Sequence, residues 1–121
     1  MAKLLTVLLV DDDKSGRAML RLSLKQAGYE MLTAADGPEA LQLLKQTHCD
    51  ALVTDARMKP MDGFELSREA KKLRPAIRIA MMSAICSQAD IAGYPIETCF
   101  SKPVPMESLL GWLSAGKGRA P

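Results

Sequence analysis

Short apolar runs alternate along this chain with longer stretches whose apolar residues return every three or four positions. Residues 4–10 (LLTVLLV) are continuously apolar and end in acids, the pattern of a strand buried on both faces. From 14 to 27, Ala18, Met19, Leu22 and Ala27, with Leu20 and Leu24, recur at helical spacing, and Gly28 is the natural stop. Residues 29–35 predict a second strand. Asp36, Gly37 and Pro38 make a turn with proline at a helix start, and 39–47 predicts a helix with Ala40, Leu41, Leu43 and Leu44 inward. Residues 50–54 (DALVT) predict a third strand that runs straight into Asp55. The KPMDG loop at 59–63 leads into a helix capped by Asp62, which reaches Leu73 and is closed by Pro75. Residues 77–82 (IRIAMM) predict a fourth strand ending at Ser83. The stretch 85–95 is short and broken by Gly93 and Pro95. Residues 97–101 predict a fifth strand leading to Lys102, and 103–113 the last helix.

Strands alternating with helices predict a parallel sheet with helices on both faces. The number of elements fits a flavodoxin-like, doubly wound α/β fold with strand order 2-1-3-4-5. Ligands of such sheets gather at the carboxyl ends of the strands. In that order, the adjacent strands 1, 3, 4 and 5 end at Asp11 and Asp12, at Asp55, at Ser83 and at Lys102. The second strand ends at Ala35.

The length of 121 residues suits one domain. Residues 1–115 are read as that domain and 116–121 as a flexible tail or the start of a linker. With 48% apolar residues the chain can bury a full core, and 25% charged residues is ordinary. No apolar run approaches the ~20 residues of a membrane helix, and the N-terminus lacks the pattern of a secretory signal. A cytoplasmic protein with no membrane association is expected. A net charge of +2 is too small to argue for direct nucleic-acid binding, and the basic Lys117-Gly118-Arg119 reads as tail. Cys49, Cys86 and Cys99 are widely spaced and form no C-x-x-C pair. They are expected to be reduced thiols, and His48 beside Cys49 supplies too few ligands for a metal.

Three carboxylates converging on one sheet edge repel one another unless a cation neutralises them. Oxygen ligands without imidazole or thiolate select Mg²⁺, with Mn²⁺ possible. A carboxylate held near such a cation can attack phosphorus. The metal and an ammonium such as that of Lys102 would offset charge on the transferred oxygens, and the Ser83 hydroxyl can bond a phosphoryl oxygen.

Four segments carry a resemblance: VDDDKSGR at 10–17, TDARMKPMDGFEL at 54–66, MSA at 82–84 and SKP at 101–103. Together they resemble, in order and across nearly the whole chain, the receiver domain of bacterial response regulators of two-component systems, the chemotaxis regulators included. The resemblance implies that Asp55 is the phosphoacceptor and a metal ligand. It implies Asp12 as a direct ligand, Asp11 as one acting through water, and the backbone carbonyl of Arg57 as completing the metal site. Ser83 matches the switch hydroxyl, Lys102 the phosphate-contacting lysine, and Lys102–Pro103 a cis peptide bond. Pro60 and Gly63 match the loop that shapes the acceptor pocket. The implied donor is a sensor histidine kinase or phosphotransfer protein, and the implied target a downstream output domain or protein. The chain is expected to be a monomer or weak homodimer, and to catalyse only its own phosphorylation and dephosphorylation.

Two departures stand out. The resemblance implies an aromatic ring three residues before the lysine, where this chain has Cys99, with Phe100 one place later. A one-residue shift in a strand reverses the face, so either Cys99 replaces the aromatic switch or a bulge restores Phe100 to it. The stretch between Ser83 and Lys102 is also shorter than the family pattern, so the fourth helix should be short or irregular. The sequence leaves two alternatives open: a pseudo-receiver that keeps the fold as an unphosphorylated binding module, and a haloacid-dehalogenase-like phosphatase using Asp11. Elsewhere the plain readings are structural. Asp13 is a solvated acid or a helix cap and has no metal role, Asp62 is a helix cap, the strand methionines fill the core with Met58 and Met61 in the acceptor loop, and Trp112 packs the last helix.

Overall fold

The computed structural model describes residues 5–117. Five strands, β1 (Thr6–Val10), β2 (Glu30–Ala34), β3 (Ala51–Asp55), β4 (Arg78–Ser83) and β5 (Thr98–Ser101), form one parallel sheet in the order β2-β1-β3-β4-β5. They alternate with α1 (Lys14–Gln26), α2 (Gly37–Gln46), α3 (Gly63–Leu73), α4 (Gln88–Ile91) and α5 (Met106–Lys117). This is the doubly wound architecture that the alternation of patterns predicts.

The pleat divides the core in two. Leu8, Val10, Leu52, Ile79 and Met81 face one layer, where they pack with Ala40 and Leu44 of α2, Leu66 and Ala70 of α3 and Ile91 of α4. Val7, Leu9, Val53, Ala80, Met82 and Phe100 face the other, with Leu24 of α1 and Leu109 and Leu113 of α5. β1 and β3 are buried at every position, which is why their sequences read as unbroken apolar runs.

Side-chain caps start the helices where the carboxylates and hydroxyls stand. Asp13, Asp36 and Asp62 each accept the backbone N–H three residues on, at 2.9, 2.9 and 2.8 Å, satisfying donors the helix cannot. At α4, Ser87 and Asp90 cap one another reciprocally. Gly28, at φ 103°, supplies the left-handed residue that ends α1 and turns the chain into β2.

Four expectations need correction. The last helix starts at Met106 rather than 103, and its first turn is closed by Leu109 N–H donating to the Pro105 carbonyl at 3.0 Å. Pro105 disfavours helical backbone at Val104, so the helix begins after it. At the other end α5 continues through Gly116 to Lys117, past the expected boundary at 115, while 118–121 of the expected tail lie outside the described residues. Of the apolar positions in the α1 pattern, Leu24 is buried and Leu20 half-buried, but Ala18 and Ala27 are exposed and Met19 and Leu22 are 72% and 52% exposed, because only one stripe of the helix meets the sheet. Finally, Cys86 and Cys99 are not separate thiols but form a disulfide, with Cα atoms 5.8 Å apart. The β4–α4–β5 crossover brings together cysteines 13 residues apart in sequence. Cys49 is a free, buried thiol.

The register at β5 is regular. Met81 pairs with Cys99, Met82 with Phe100 and Ser83 with Ser101, so no bulge restores Phe100 to the place of Cys99. Cys99 packs against the α2–α3–α4 layer and Phe100 is buried in the α1–α5 layer. No helix among the described residues is long and apolar enough to cross a membrane.

Candidate functional site

The site lies where β1, β3, β4 and β5 end together. Asp11 follows β1 and is buried to 4% exposure, Asp55 closes β3 at 3%, and Asp12 is exposed. One carboxylate oxygen from each lies within 4.8 Å of the others. Two buried carboxylates at that separation repel by about 3 kcal/mol at an effective dielectric constant of about 20. The Lys102 ammonium answers part of this charge. It is ion-paired with Asp55 Oδ1 and stands 3.8 Å from Asp11 Oδ1.

Each group is held by its backbone neighbours. Asp11 Oδ1 accepts the Asp13 N–H at 2.9 Å, and the Arg17 guanidinium donates to the Asp11 carbonyl at 2.6 Å. The Ala56 N–H donates to the Met82 carbonyl and the Lys102 N–H to the Ser83 carbonyl, both at 2.8 Å. These bonds fix the ends of β3, β4 and β5 at one level. The Gly63 N–H returns to the Ala56 carbonyl at 2.8 Å, folding the acceptor loop back under Asp55. The Lys102–Pro103 peptide bond is cis, as is Lys59–Pro60.

Asp12, Asp55, Arg57, Ser83, Ala84, Ile85 and Lys102 line a cleft of about 270 Å³. Thus the structure brings together Asp11, Asp12, Asp55, Ser83 and Lys102, with Arg57 on the wall. Ser83 is half-buried and its hydroxyl oxygen sits 3.4 Å from the Ile85 N–H, a long contact that leaves the hydroxyl able to bond a ligand oxygen. Cys99 lies outside this cleft, against the α2–α3–α4 layer. Ala84, the last residue of the MSA segment, and Ile85 complete the wall; the Ile85 side chain carries no chemistry that would mark it in the sequence.

The electrostatics follow from burial. Removal from water, and then the Asp11 carboxylate beside it, push the Asp55 carboxyl up to about 7 against the pull of Lys102. Burial lowers the Lys102 ammonium, but Asp55, then Asp11 and Asp12, outweigh it and hold it above its ordinary value. Asp55 Oδ1 is buried and, although it meets the Lys102 charge, makes no hydrogen bond of proper geometry. A carboxylate oxygen so placed, within reach of two more carboxylates and with no imidazole or thiolate in the cluster, suits a hard divalent cation. The donor set therefore fits Mg²⁺.

The profile of the response regulator receiver domain matches residues 7–113, nearly the whole sheet. The chain is 35% identical over 106 residues to the transcriptional regulatory protein GlrR of Escherichia coli, covering 85% of this chain and 24% of that protein. It is 35% identical over 112 residues to the response regulator MprA of Mycobacterium sp. strain KMS, covering 90% and 49%. The chain thus spans a quarter to a half of these relatives' lengths. Among solved structures it is similar to the chemotaxis protein CheY4 of Vibrio cholerae, with a TM-score of 0.86, 31% identity and coverage of 93% of this chain and 98% of that one. With the sheet order, the acidic cluster at its carboxyl edge and a profile match over most of the chain in agreement, this protein belongs to the response regulator receiver domain family, the phosphoaccepting signalling switches of two-component systems.

Proposed function

We propose that Asp55 is the phosphoacceptor of this receiver. The observation that carries this is the state of Asp55 itself. It is a buried carboxylate at a strand end, its Oδ1 met by the Lys102 ammonium, on the wall of a cleft shared with Asp12, Ser83 and Lys102. An Asp55 oxygen bonds to phosphorus while the bond from phosphorus to the donor breaks, giving an acyl phosphate and the released donor. The donor is the phosphohistidine of a sensor kinase or phosphotransfer protein.

Asp12 and Asp55 would ligate Mg²⁺ (or Mn²⁺) directly, with Asp11 acting through water and the Arg57 carbonyl as a further ligand. The cation supplies charge neutralisation for the phosphoryl oxygens and for the carboxylates themselves. Lys102 holds its ammonium against Asp55 and can follow a phosphoryl oxygen placed there. Ser83, at the end of the strand between them, donates its hydroxyl to another. Water reaches the cleft from its open side, so the same residues set the lifetime of the acyl phosphate. The protein is thus a switch acting catalytically only on itself. We place it in the cytoplasm, as a monomer or weak homodimer, forming one receiver unit that passes its state to an output domain or protein without contacting nucleic acid itself.

With Phe100 buried in the α1–α5 layer and Cys99 on the other face, the phosphorylated state is read through Ser83 and the segment 84–95. Incubation with Mg²⁺ and a small-molecule phosphodonor should add one phosphoryl group, located by mass spectrometry to Asp55 and lost in Asp55→Asn. Label on Asp11, as a haloacid-dehalogenase-like mechanism requires, would overturn the assignment. So would wild-type labelling of Asp55→Asn, and so would no label on the wild type, the behaviour of a pseudo-receiver.

A further inference from the structure

The disulfide between Cys86 and Cys99 joins the loop that leaves the cleft to the edge strand β5. Ser83 and Ile85 line the cleft, and Cys86 is the next residue. Cys99 lies in β5, beside Met81 of β4. The bond therefore ties the segment that continues from the cleft wall to the strand that delivers Lys102. Both cysteines are half-buried rather than enclosed.

Little else holds this segment. α4 has four residues, too few to persist on backbone hydrogen bonds alone. Ile85 is 84% exposed, and Ala84, Ser87, Gln88, Ala89 and Asp90 are exposed as well. The anchors are Ile91 and Ile96, which are buried, and Tyr94, whose ring lies 4.9 Å from that of Phe64. All three lie beyond the helix start, so between Ser83 and Ile91 the covalent bond is the main restraint.

The reduced form is also provided for. Cys86 Sγ lies 3.3 Å from the Phe100 carbonyl oxygen, an acceptor that a Cys86 thiol can use once the sulfurs part. Cys49 offers a contrast. It is buried, and that burial pushes its thiol up to about 11, which keeps it protonated and inert.

We propose that Cys86 and Cys99 form a reversible dithiol–disulfide site that pins the wall of the acceptor cleft when oxidised and releases it when reduced. The oxidant class is a low-molecular-weight disulfide such as oxidised glutathione. The thiolate of one cysteine attacks a sulfur of that disulfide, breaking its S–S bond and expelling one thiol. The second cysteine then attacks the mixed disulfide and expels the other. One S–S bond forms in the protein as one breaks in the oxidant, and the two protein thiols' protons and two electrons end on the two released thiols. Reduction runs the same steps backward. The proposal deepens the reading of Asp55 as acceptor, and rests on that reading only in giving the cleft its function.

The test uses the full chain equilibrated in glutathione buffers of rising oxidised fraction. Labelling with a maleimide under denaturing conditions should find three free cysteines at the reducing end and Cys49 alone at the oxidising end, since the chain has three cysteines in all. Amide hydrogen exchange over residues 84–90 should quicken about ten- to a hundredfold on reduction, the scale expected from opening a loop of this size. Cys86→Ser and Cys99→Ser should exchange like the reduced wild type under all conditions. Three labelled cysteines throughout would overturn the proposal. So would equal exchange in reduced and oxidised wild type, which needs no variant to fold. Phosphodonor labelling separates the two readings: failure of Asp55 to take up phosphate in both redox states would overturn the acceptor assignment and leave the cysteine and exchange results standing.

Discussion

Gly63 packs directly on the backbone carbonyl of Asp55, so closely that a side chain at 63 would have its Cβ inside that oxygen and against the Met81 methyl. The helix that follows the acceptor loop can begin there only because the residue has no side chain. Gly63→Ala is expected to destabilise the fold by about 1–3 kcal/mol and to slow phosphodonor labelling, because relief of the clash must move Asp55. Gly111 is the matched control. It lies within α5 with open space around its missing Cβ, so Gly111→Ala should stabilise by about 0.5–1 kcal/mol. Urea denaturation of the two variants beside wild type checks both signs.

Asp55 makes the metal-free protein's stability depend on pH. Its carboxyl is raised in the folded protein from 3.8 to about 7. The folded state therefore holds a proton that the unfolded state has released between these values, and stability must fall as pH rises through this window. The loss levels off above about pH 7, once both states are deprotonated. The full shift corresponds to a few kcal/mol at most, at about 1.4 kcal/mol per unit. Asp55→Asn should lose this slope and be the more stable protein at pH 8 without metal. Thermal melts of both proteins from pH 4 to 8 in a chelator would show it; a wild type that gains stability across this range contradicts the expectation.

Mg²⁺ binding should separate Asp12 from its neighbour Asp13. Asp12 contributes an oxygen to the acidic cluster, whereas Asp13 is spent on the Gly16 N–H at the start of α1. Asp12→Ala is expected to weaken Mg²⁺ affinity at least about tenfold, the loss that even outer-shell changes cause. Asp13→Ala should leave affinity near wild type but cost about 1 kcal/mol as a lost cap. Calorimetric titration with MgCl₂ and a denaturation curve for each variant make the comparison.

Away from the site, Arg78 ties β4 to α5. Its guanidinium lies 4.3 Å from the centre of the Trp112 ring, donates to the Trp112 carbonyl at 2.8 Å, and pairs with Glu97 at 2.9 Å. The Trp112 indole N–H closes the group by donating to Glu97 at 3.1 Å. A lysine has neither the planar fork nor the stacking face. Arg78→Lys should therefore cost about 1–2 kcal/mol and raise the fluorescence change of Trp112 at lower urea than wild type. An unchanged midpoint would show that the group adds nothing.

The sequence by itself determined the elements, their order and the chemistry at the strand ends. β1 and β3 were legible because a strand covered on both sides must be apolar at every position, and Asp11, Asp12 and Asp55 because acids directly after such strands have few structural uses. The caps at Asp13 and Asp62 were readable for the same local reason: a helix's first N–H groups need an acceptor within three residues. Tertiary structure decided what depends on which surfaces meet. Helical spacing puts Met19 and Leu22 among the apolar positions of α1, but only the packing of that helix on the sheet leaves them in solvent. The β5 register, not the local pattern, sends Phe100 to the α1–α5 layer and Cys99 to the opposite one. Cys86 and Cys99 looked unrelated because covalent pairing requires proximity in space, and a parallel crossover creates that proximity between residues that no local period connects.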